Sequence, residues 1–429
     1  MNETIDIFDR AARVIAGGVD SPVRAGMPVG GEPFVQSRGE GAYAYDGRGR
    51  RYIDYVMAYG PLLLGHAHPA VSRGLDEIAS RGAVFGSTHE DEIELAERIR
   101  SHLPSMQRIR FATTGTEAVM GAIRTARAFT RRSAIVKFAG NYHGHSDLAL
   151  LGAGASAHTG DALRAGIPAG TLCDLGVARY NDLEDLDRVL AMPAVNGNVA
   201  AILLEPIVGN MGLVLPLPGF LDGVFARARA LDALVIFDEV ITWLRLGLGG
   251  AQGRLGYEPD LTVLGKNLGG GFPLAAFGGR SEIMSMLAPQ GPVFAGGTHA
   301  GNPFSIAIGL RVLDFFEQNP GVYGRMRELG ERLAAGFRDV LARHERDYSV
   351  VALESIVDFK FRSGPPTRSY DDQARADARA YAAYYHEMRS RGVLLPPSQN
   401  EVMFLSTEHR AGDVDATIAA ASEAIAALG

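Results

Sequence analysis

At 429 residues the chain is too long for one ordinary core and implies two or three lobes. Hydrophobic residues at 47% permit a large interior, while a formal net charge of −7 argues against a nucleic-acid or anionic-membrane surface. A single cysteine, Cys173, excludes an internal disulfide framework and fits a reducing cytoplasm; the acidic first ten residues, with no long apolar run behind them, read as neither signal peptide nor membrane anchor.

In chain order, residues 1–55 suggest a small N-terminal lobe. Glycines at 39 and 41 precede the alternating Ala42-Tyr43-Ala44-Tyr45-Asp46, and Gly47-Arg48-Gly49 turns into Arg50-Arg51-Tyr52-Ile53-Asp54, which predicts an antiparallel hairpin. Residues 56–310 carry a βαβ rhythm. Apolar runs at 108–112, 133–138, 199–204, 234–237 and 261–264 are separated by helix-compatible segments, as in a mostly parallel sheet. Residues 311–429 form a third segment, in which Met326, Leu329, Leu333, Phe337 and Val340 recur at helical spacing. Arg325, Arg327, Arg332 and Arg338 are then the solvated face of that helix.

Chemistry concentrates in the middle segment. Lys266, among the glycines 265 and 269–271, follows Asp238 by 28 residues, and Asp238 closes the apolar run Leu234-Val235-Ile236-Phe237. The carboxyl end of such a strand is where open α/β sheets place ligands. A lysine there, partly desolvated, can condense with an aldehyde cofactor, and a carboxylate can hold a protonated ring nitrogen. A helix cap and a solvated loop lysine account equally for this segment taken alone. Gly115 and Thr116, in the run Ala112–Ala118 that joins a strand to a helix, suit either a phosphate or a plain capping box. Tyr142 follows another strand and can stack on a flat ring; His143 and His145, two apart, have no third partner spaced for a metal, so no metal is expected.

These residues, with Gly18–Arg24, Gly60–Pro69, Tyr142–His145, Glu205–Gly212 and Gly249–Gly253, resemble the class III aminotransferases over nearly the whole chain, and most nearly their aminomutase branch. The resemblance implies an α/β chain of fold type I: a large domain with a mostly parallel seven-stranded sheet, and a smaller α+β lobe from both termini. It implies pyridoxal 5′-phosphate, with a pyridoxamine 5′-phosphate form. Lys266 is then the Schiff-base lysine and proton shuttle, Asp238 the ring-nitrogen partner, and Tyr142 and Val240 the residues on the ring faces. Asn210 lies near the phenolic oxygen, and Gly115 and Thr116 bind the phosphate. Thr298 matches a residue reaching the phosphate of a neighbouring subunit, which implies a homodimer with shared active sites.

For a small amino or carbonyl substrate, Arg24 resembles the carboxylate-holding arginine, and Glu401 an acidic residue close by. Tyr59 stands where tryptophan is usual, Trp243 where glycine is, Phe294 where tyrosine is, and Ala155 and Ala300 where serines are. Tyr59 and Trp243 are therefore expected to shape the substrate pocket, with 152–157 as a small-residue lid. Three readings stand: an amino exchange within one molecule, an intermolecular aminotransferase for a bulkier or more apolar substrate, and a non-catalytic relative. The presence of both Lys266 and Asp238 argues against the third.

Overall fold

The computed structural model describes residues 3–152 and 165–428. The strands in chain order are β1 (Gln36–Glu40), β2 (Tyr43–Asp46), β3 (Arg51–Asp54), β4 (Arg108–Ala112), β5 (Ala134–Phe138), β6 (Leu175–Ala178) and β7 (Val199–Leu204). They continue with β8 (Leu234–Asp238), β9 (Leu261–Leu264), β10 (Ala275–Gly279), β11 (Ser349–Leu353), β12 (Ile356–Lys360), β13 (Val393–Leu394) and β14 (Met403–Phe404). The chain forms two compact units. One gathers Met1–His68, Gly321–Thr367 and Asp371–Gly429; the other is Pro69–Pro320 with Arg368–Tyr370. The divisions fall at 68 and 320, where the sequence suggested 55 and 310.

The larger unit is built on a seven-stranded sheet in the order β4-β10-β9-β8-β7-β5-β6. Strands β6, β5, β7, β8 and β9 run parallel, and β10 is antiparallel to both β4 and β9. The sequence of β7, Val-Ala-Ala-Ile-Leu-Leu, is buried at every position because both faces of the sheet are covered. Ile202 and Leu204 enter one cluster with Phe138, Tyr180 and Phe220; Ala200 and Leu203 enter another with Val119, Ile123 and Phe277. Parallel strands align their carboxyl ends, so the residues closing β5, β7, β8 and β9 emerge on one edge.

The smaller unit holds the sheet β1-β2-β3-β13 and the sheet β11-β12-β14. The hairpin of β2 and β3 forms as its glycines predict. Asp46 Oδ1 accepts the amides of Arg48 and Arg50, each at 2.9 Å, which fixes the turn. Helix Gly321–Arg343 buries Met326, Leu329, Leu333, Phe337 and Val340 and leaves Arg325, Arg327, Arg332 and Arg338 exposed, as the spacing predicts. Among the described residues no helix is long and apolar enough to cross a membrane.

Candidate active site

Asp238 closes β8 and is 5% exposed. A carboxylate that deep needs donors, and both oxygens have one: Oδ2 lies 2.8 Å from His143 Nδ1, and Oδ1 accepts the Val240 amide at 3.0 Å. Burial pulls the His143 imidazole below its ordinary pKa, and the neighbouring Asp238 only partly offsets this. A carboxylate can only accept, so the imidazole donates to Asp238 through Nδ1. Its Nε2 is buried with no hydrogen-bond partner among the described residues.

The next residue locks the loop that follows. Glu239 is fully buried and accepts Thr242 Oγ1 at 2.8 Å, Ala251 N at 2.5 Å, and the backbone and side-chain nitrogens of Gln252 at 2.9 and 3.0 Å. Asn267 Nδ2 then reaches the carbonyls of Ile241 and Trp243 at 3.1 and 3.0 Å, tying the turn Lys266–Gly269 to the same loop. Lys266 is half-buried and adopts φ +39°, a left-handed conformation costly for a side-chain-bearing residue.

The helix Gly115–Thr130 begins with a capping box. Thr114 Oγ1 accepts Glu117 N, and Glu117 Oε2 accepts the amides of Thr113 and Thr114. The first-turn amides of Gly115 and Thr116 remain as outward donors at the positive end of a 16-residue helix. A Cβ on Gly115 would sit 3.4 Å from Val240 Cγ2, and one on Gly265 would sit 3.4 Å from both Val240 methyls. Val240 thus joins the helix end to the residue preceding Lys266. Gly144, at φ +87°, approaches Thr116 so closely that a Cβ would lie 2.8 Å from the Thr116 Cα.

Glu205, just past β7, accepts the Tyr142 amide at 3.0 Å and the Gly209 amide at 2.8 Å, and the Asn210 side chain also bonds it. Burial, reinforced by Asp238, pushes its carboxyl up to about 7. On β5, Lys137 is buried and donates to Ala149 O at 2.6 Å. Burial draws its amine down to about 7, against the pull of Glu205 and Asp238. The larger unit therefore brings together Gly115, Thr116, Tyr142, Asn210, Asp238, Val240 and Lys266. His143, Glu205 and Lys137 were not assigned roles from the sequence, although a lysine inside the apolar run Ala134–Phe138 was a legible signal.

The smaller unit groups three further residues. Tyr59 Oη donates to Val23 O at 3.2 Å, the carbonyl just before Arg24. Burial and then the charge of Glu401 push the Tyr59 phenol well up, while Arg24 pulls it the other way. Tyr59 thus stands within electrostatic reach of an arginine and a glutamate. Met57, Ala58 and Tyr59 all adopt positive φ, a strained run held by Asp54, which accepts the amides of Val56 and Met57 and pairs with His66 at 2.7 Å.

One expected substrate residue is corrected. Trp243 is 1% exposed, and its Nε1 donates to Leu248 O at 2.9 Å, so the indole fills the interior of the 239–250 loop instead of presenting a face to a ligand. Thr298 is exposed in the larger unit, and so is Phe294, at 75%. Ala155 and residues 153–157 of the expected lid lie outside the described residues.

The profile of the family described as aminotransferase class-III matches residues 27–412. The chain is 47% identical over 422 residues to glutamate-1-semialdehyde 2,1-aminomutase of Sorangium cellulosum, covering 98% of this chain and 95% of that one. Among solved structures it is similar to an omega-transaminase from Sphaerobacter thermophilus, with TM-score 0.88, 32% identity, and 99% and 97% of the two chains covered. It is also similar to a glutamate-1-semialdehyde-aminomutase from Pseudomonas aeruginosa PAO1 in complex with PMP, with TM-score 0.88, 26% identity, and 100% and 95% covered.

Proposed function

The chain belongs to the class III aminotransferase family, and we propose that it moves an amino group within one molecule, isomerising glutamate 1-semialdehyde to 5-aminolevulinate, a tetrapyrrole precursor. Its cofactor is pyridoxal 5′-phosphate, with pyridoxamine 5′-phosphate as the aminated form. The residues present fit that group. Gly115 and Thr116 offer two first-turn amides to a phosphate, and Asp238 offers a buried carboxylate already oriented by His143 and Val240. In this reading Tyr142 and Val240 hold the ring faces and Asn210 the phenolic oxygen. When bound, the cofactor supplies an aldehyde that captures amines and a ring that takes up electrons from the substrate carbon.

The protein's own groups do the rest. Lys266 Nζ anchors the cofactor and carries protons to and from the reacting carbons; the turn locked by Asn267 fixes where that nitrogen starts. Asp238 keeps a proton on the ring nitrogen. Arg24 takes the substrate carboxylate through a planar fork, and Glu401 takes the amine. The observation that carries the substrate assignment is the 47% identity over 98% of this chain to glutamate-1-semialdehyde 2,1-aminomutase; beside it, the Tyr59 hydroxyl bonds the carbonyl before Arg24, and Arg24 and Glu401 both act on that phenol. That suits a molecule bearing both a carboxylate and an amine.

We read the assembly as a homodimer in the cytoplasm, in which Thr298 serves the phosphate site of a second copy; its exposure supports this, and light scattering tests it. The deciding experiment offers the pure enzyme glutamate 1-semialdehyde with no other donor or acceptor. Formation of 5-aminolevulinate, abolished in Lys266→Ala, supports the proposal. The replacement of polar pocket groups by Phe294 and Ala300 favours an intermolecular aminotransferase instead, and activity only with an added donor and ketone would establish that alternative.

A further inference from the structure

Glu401 ends a tight, buried turn. Its amide donates to Ser398 O at 3.1 Å, the Asn400 amide reaches Ser398 Oγ at 3.2 Å, and Ser398, Gln399 and Asn400 are all buried. Buried irregular backbone must find partners for its polar groups. Here they come from three elements of the same unit. Tyr381 Oη donates to Pro396 O at 2.6 Å, Gln373 Nε2 donates to Gln399 O at 3.0 Å and to Asn400 Oδ1 at 2.7 Å, and Lys360 Nζ also donates to Gln399 O.

Lys360 is the unusual member. It is 1% exposed on β12 and lies 3.0 Å from the equally buried Asp358, two residues away on the same face of the strand. Taking an ammonium and a carboxylate out of water costs about what their attraction returns, so a buried ion pair is poor evidence of a stabilising role. What this pair does hold is the carbonyl two residues before Glu401.

We propose that Lys360, anchored by Asp358 and assisted by Gln373, is a positioning residue that sets the place of the Glu401 carboxylate and through it the affinity for the substrate amine. The proposal rests on the reading of Glu401 as the group that takes that amine. Gln373 and Lys360 touch no reacting atom; they act only through the turn.

The test is steady-state kinetics of the holoenzyme on glutamate 1-semialdehyde for Gln373→Leu, Lys360→Met, Glu401→Gln and the two double variants. Gln373→Leu is included because it leaves the Lys360–Asp358 pair intact and preserves the fold if Lys360→Met does not. We expect Lys360→Met and Gln373→Leu each to raise KM about three- to tenfold with kcat within about twofold, and to change KM no further in the Glu401→Gln background, as coupled residues do; an unchanged KM in a folded Lys360→Met overturns the proposal directly. An unchanged KM in Gln373→Leu, or an equal rise in both backgrounds, overturns the positioning role. An unchanged KM in Glu401→Gln itself overturns the reading of Glu401, so the two failures are told apart.

Discussion

Replacing Glu239 by glutamine tests whether the loop after Asp238 is held by a charged carboxylate. Oε1 accepts the backbone and side-chain nitrogens of Gln252, and Oε2 accepts Ala251 N and Thr242 Oγ1. A glutamine keeps one oxygen and turns the other into a donor. The backbone amides of Gln252 and Ala251 cannot reverse, whereas the Gln252 carboxamide can flip; with the glutamine oxygen kept on the Gln252 side, both Gln252 N–H donors stay satisfied. On the other side the Thr242 hydroxyl can rotate to accept, but the Ala251 amide is stranded. One orphaned buried amide costs about 1–3 kcal/mol, and the remaining bonds lose roughly 1 kcal/mol of charge assistance. Glu239→Gln is therefore expected to lower the unfolding free energy by about 2–4 kcal/mol, read from urea denaturation of the apoprotein. Burial pushes the Glu239 carboxyl up while its four donors pull it down. Burial is the larger effect, so the net shift is upward; were it large enough to leave the acid neutral, glutamine would mimic it, and a loss below about 0.5 kcal/mol would refute the argument. Because Asn267 binds carbonyls in the same loop, the variant is also expected to bind cofactor more weakly in an absorbance titration.

Three further outcomes follow from the geometry. Gly144→Ala puts a methyl 2.8 Å from the Thr116 Cα at a φ that alanine resists, so cofactor affinity is expected to fall at least about tenfold by fluorescence titration; unchanged affinity removes this approach from the phosphate site. The Glu205 carboxyl, raised from 4.5 to about 7, binds more protons folded than unfolded between those values, so its contribution is full below 4.5 and lost as pH rises through about 7. The unfolding free energy of wild type relative to Glu205→Gln is thus expected to fall from pH 5 to pH 8, and a rise would reverse the assignment. Trp243→Gly, which restores the residue usual in the family, is expected to cost about 3–5 kcal/mol of stability through the cavity it leaves. A stable variant with altered substrate preference would return Trp243 to the substrate site.

The parts of this architecture that were legible in the sequence are those whose signals are local. The apolar run ending in Asp238, the glycines beside Lys266, the hairpin turn at Gly47–Gly49 and the buried stripe of helix Gly321–Arg343 each lie within a short window. What escaped depends on partners far along the chain. Strand β10, Ala-Ala-Phe-Gly-Gly, has little intrinsic strand preference and is extended because it is paired antiparallel on both sides. The two-residue β13 exists only by pairing parallel with β3, some 340 residues earlier. His143 meets Asp238 across 95 residues, and no periodicity announces that pairing. Trp243 misled for a related reason. A large residue at a position usually occupied by glycine looks like a change of pocket, but a loop closed around Glu239 can take the indole inward.

The backbone itself argues that both halves of the proposed chemistry are set before any ligand arrives. Lys266 in one unit and Met57, Ala58 and Tyr59 in the other adopt positive φ without being glycine, at about 1–3 kcal/mol each. Such conformations persist only where surrounding bonds over-determine them. Asn267 holds the first through the carbonyls of Ile241 and Trp243, and Asp54 holds the second through the amides of Val56 and Met57. A chain selected for stability alone would relax either turn with a glycine or a different loop. The first strained residue is the lysine proposed to carry protons, and the second run ends at Tyr59, whose hydroxyl bonds the carbonyl before Arg24, a placement that pre-organisation would favour. The position of an amine and of a phenol is fixed during folding, so less ordering is left for the moment of reaction.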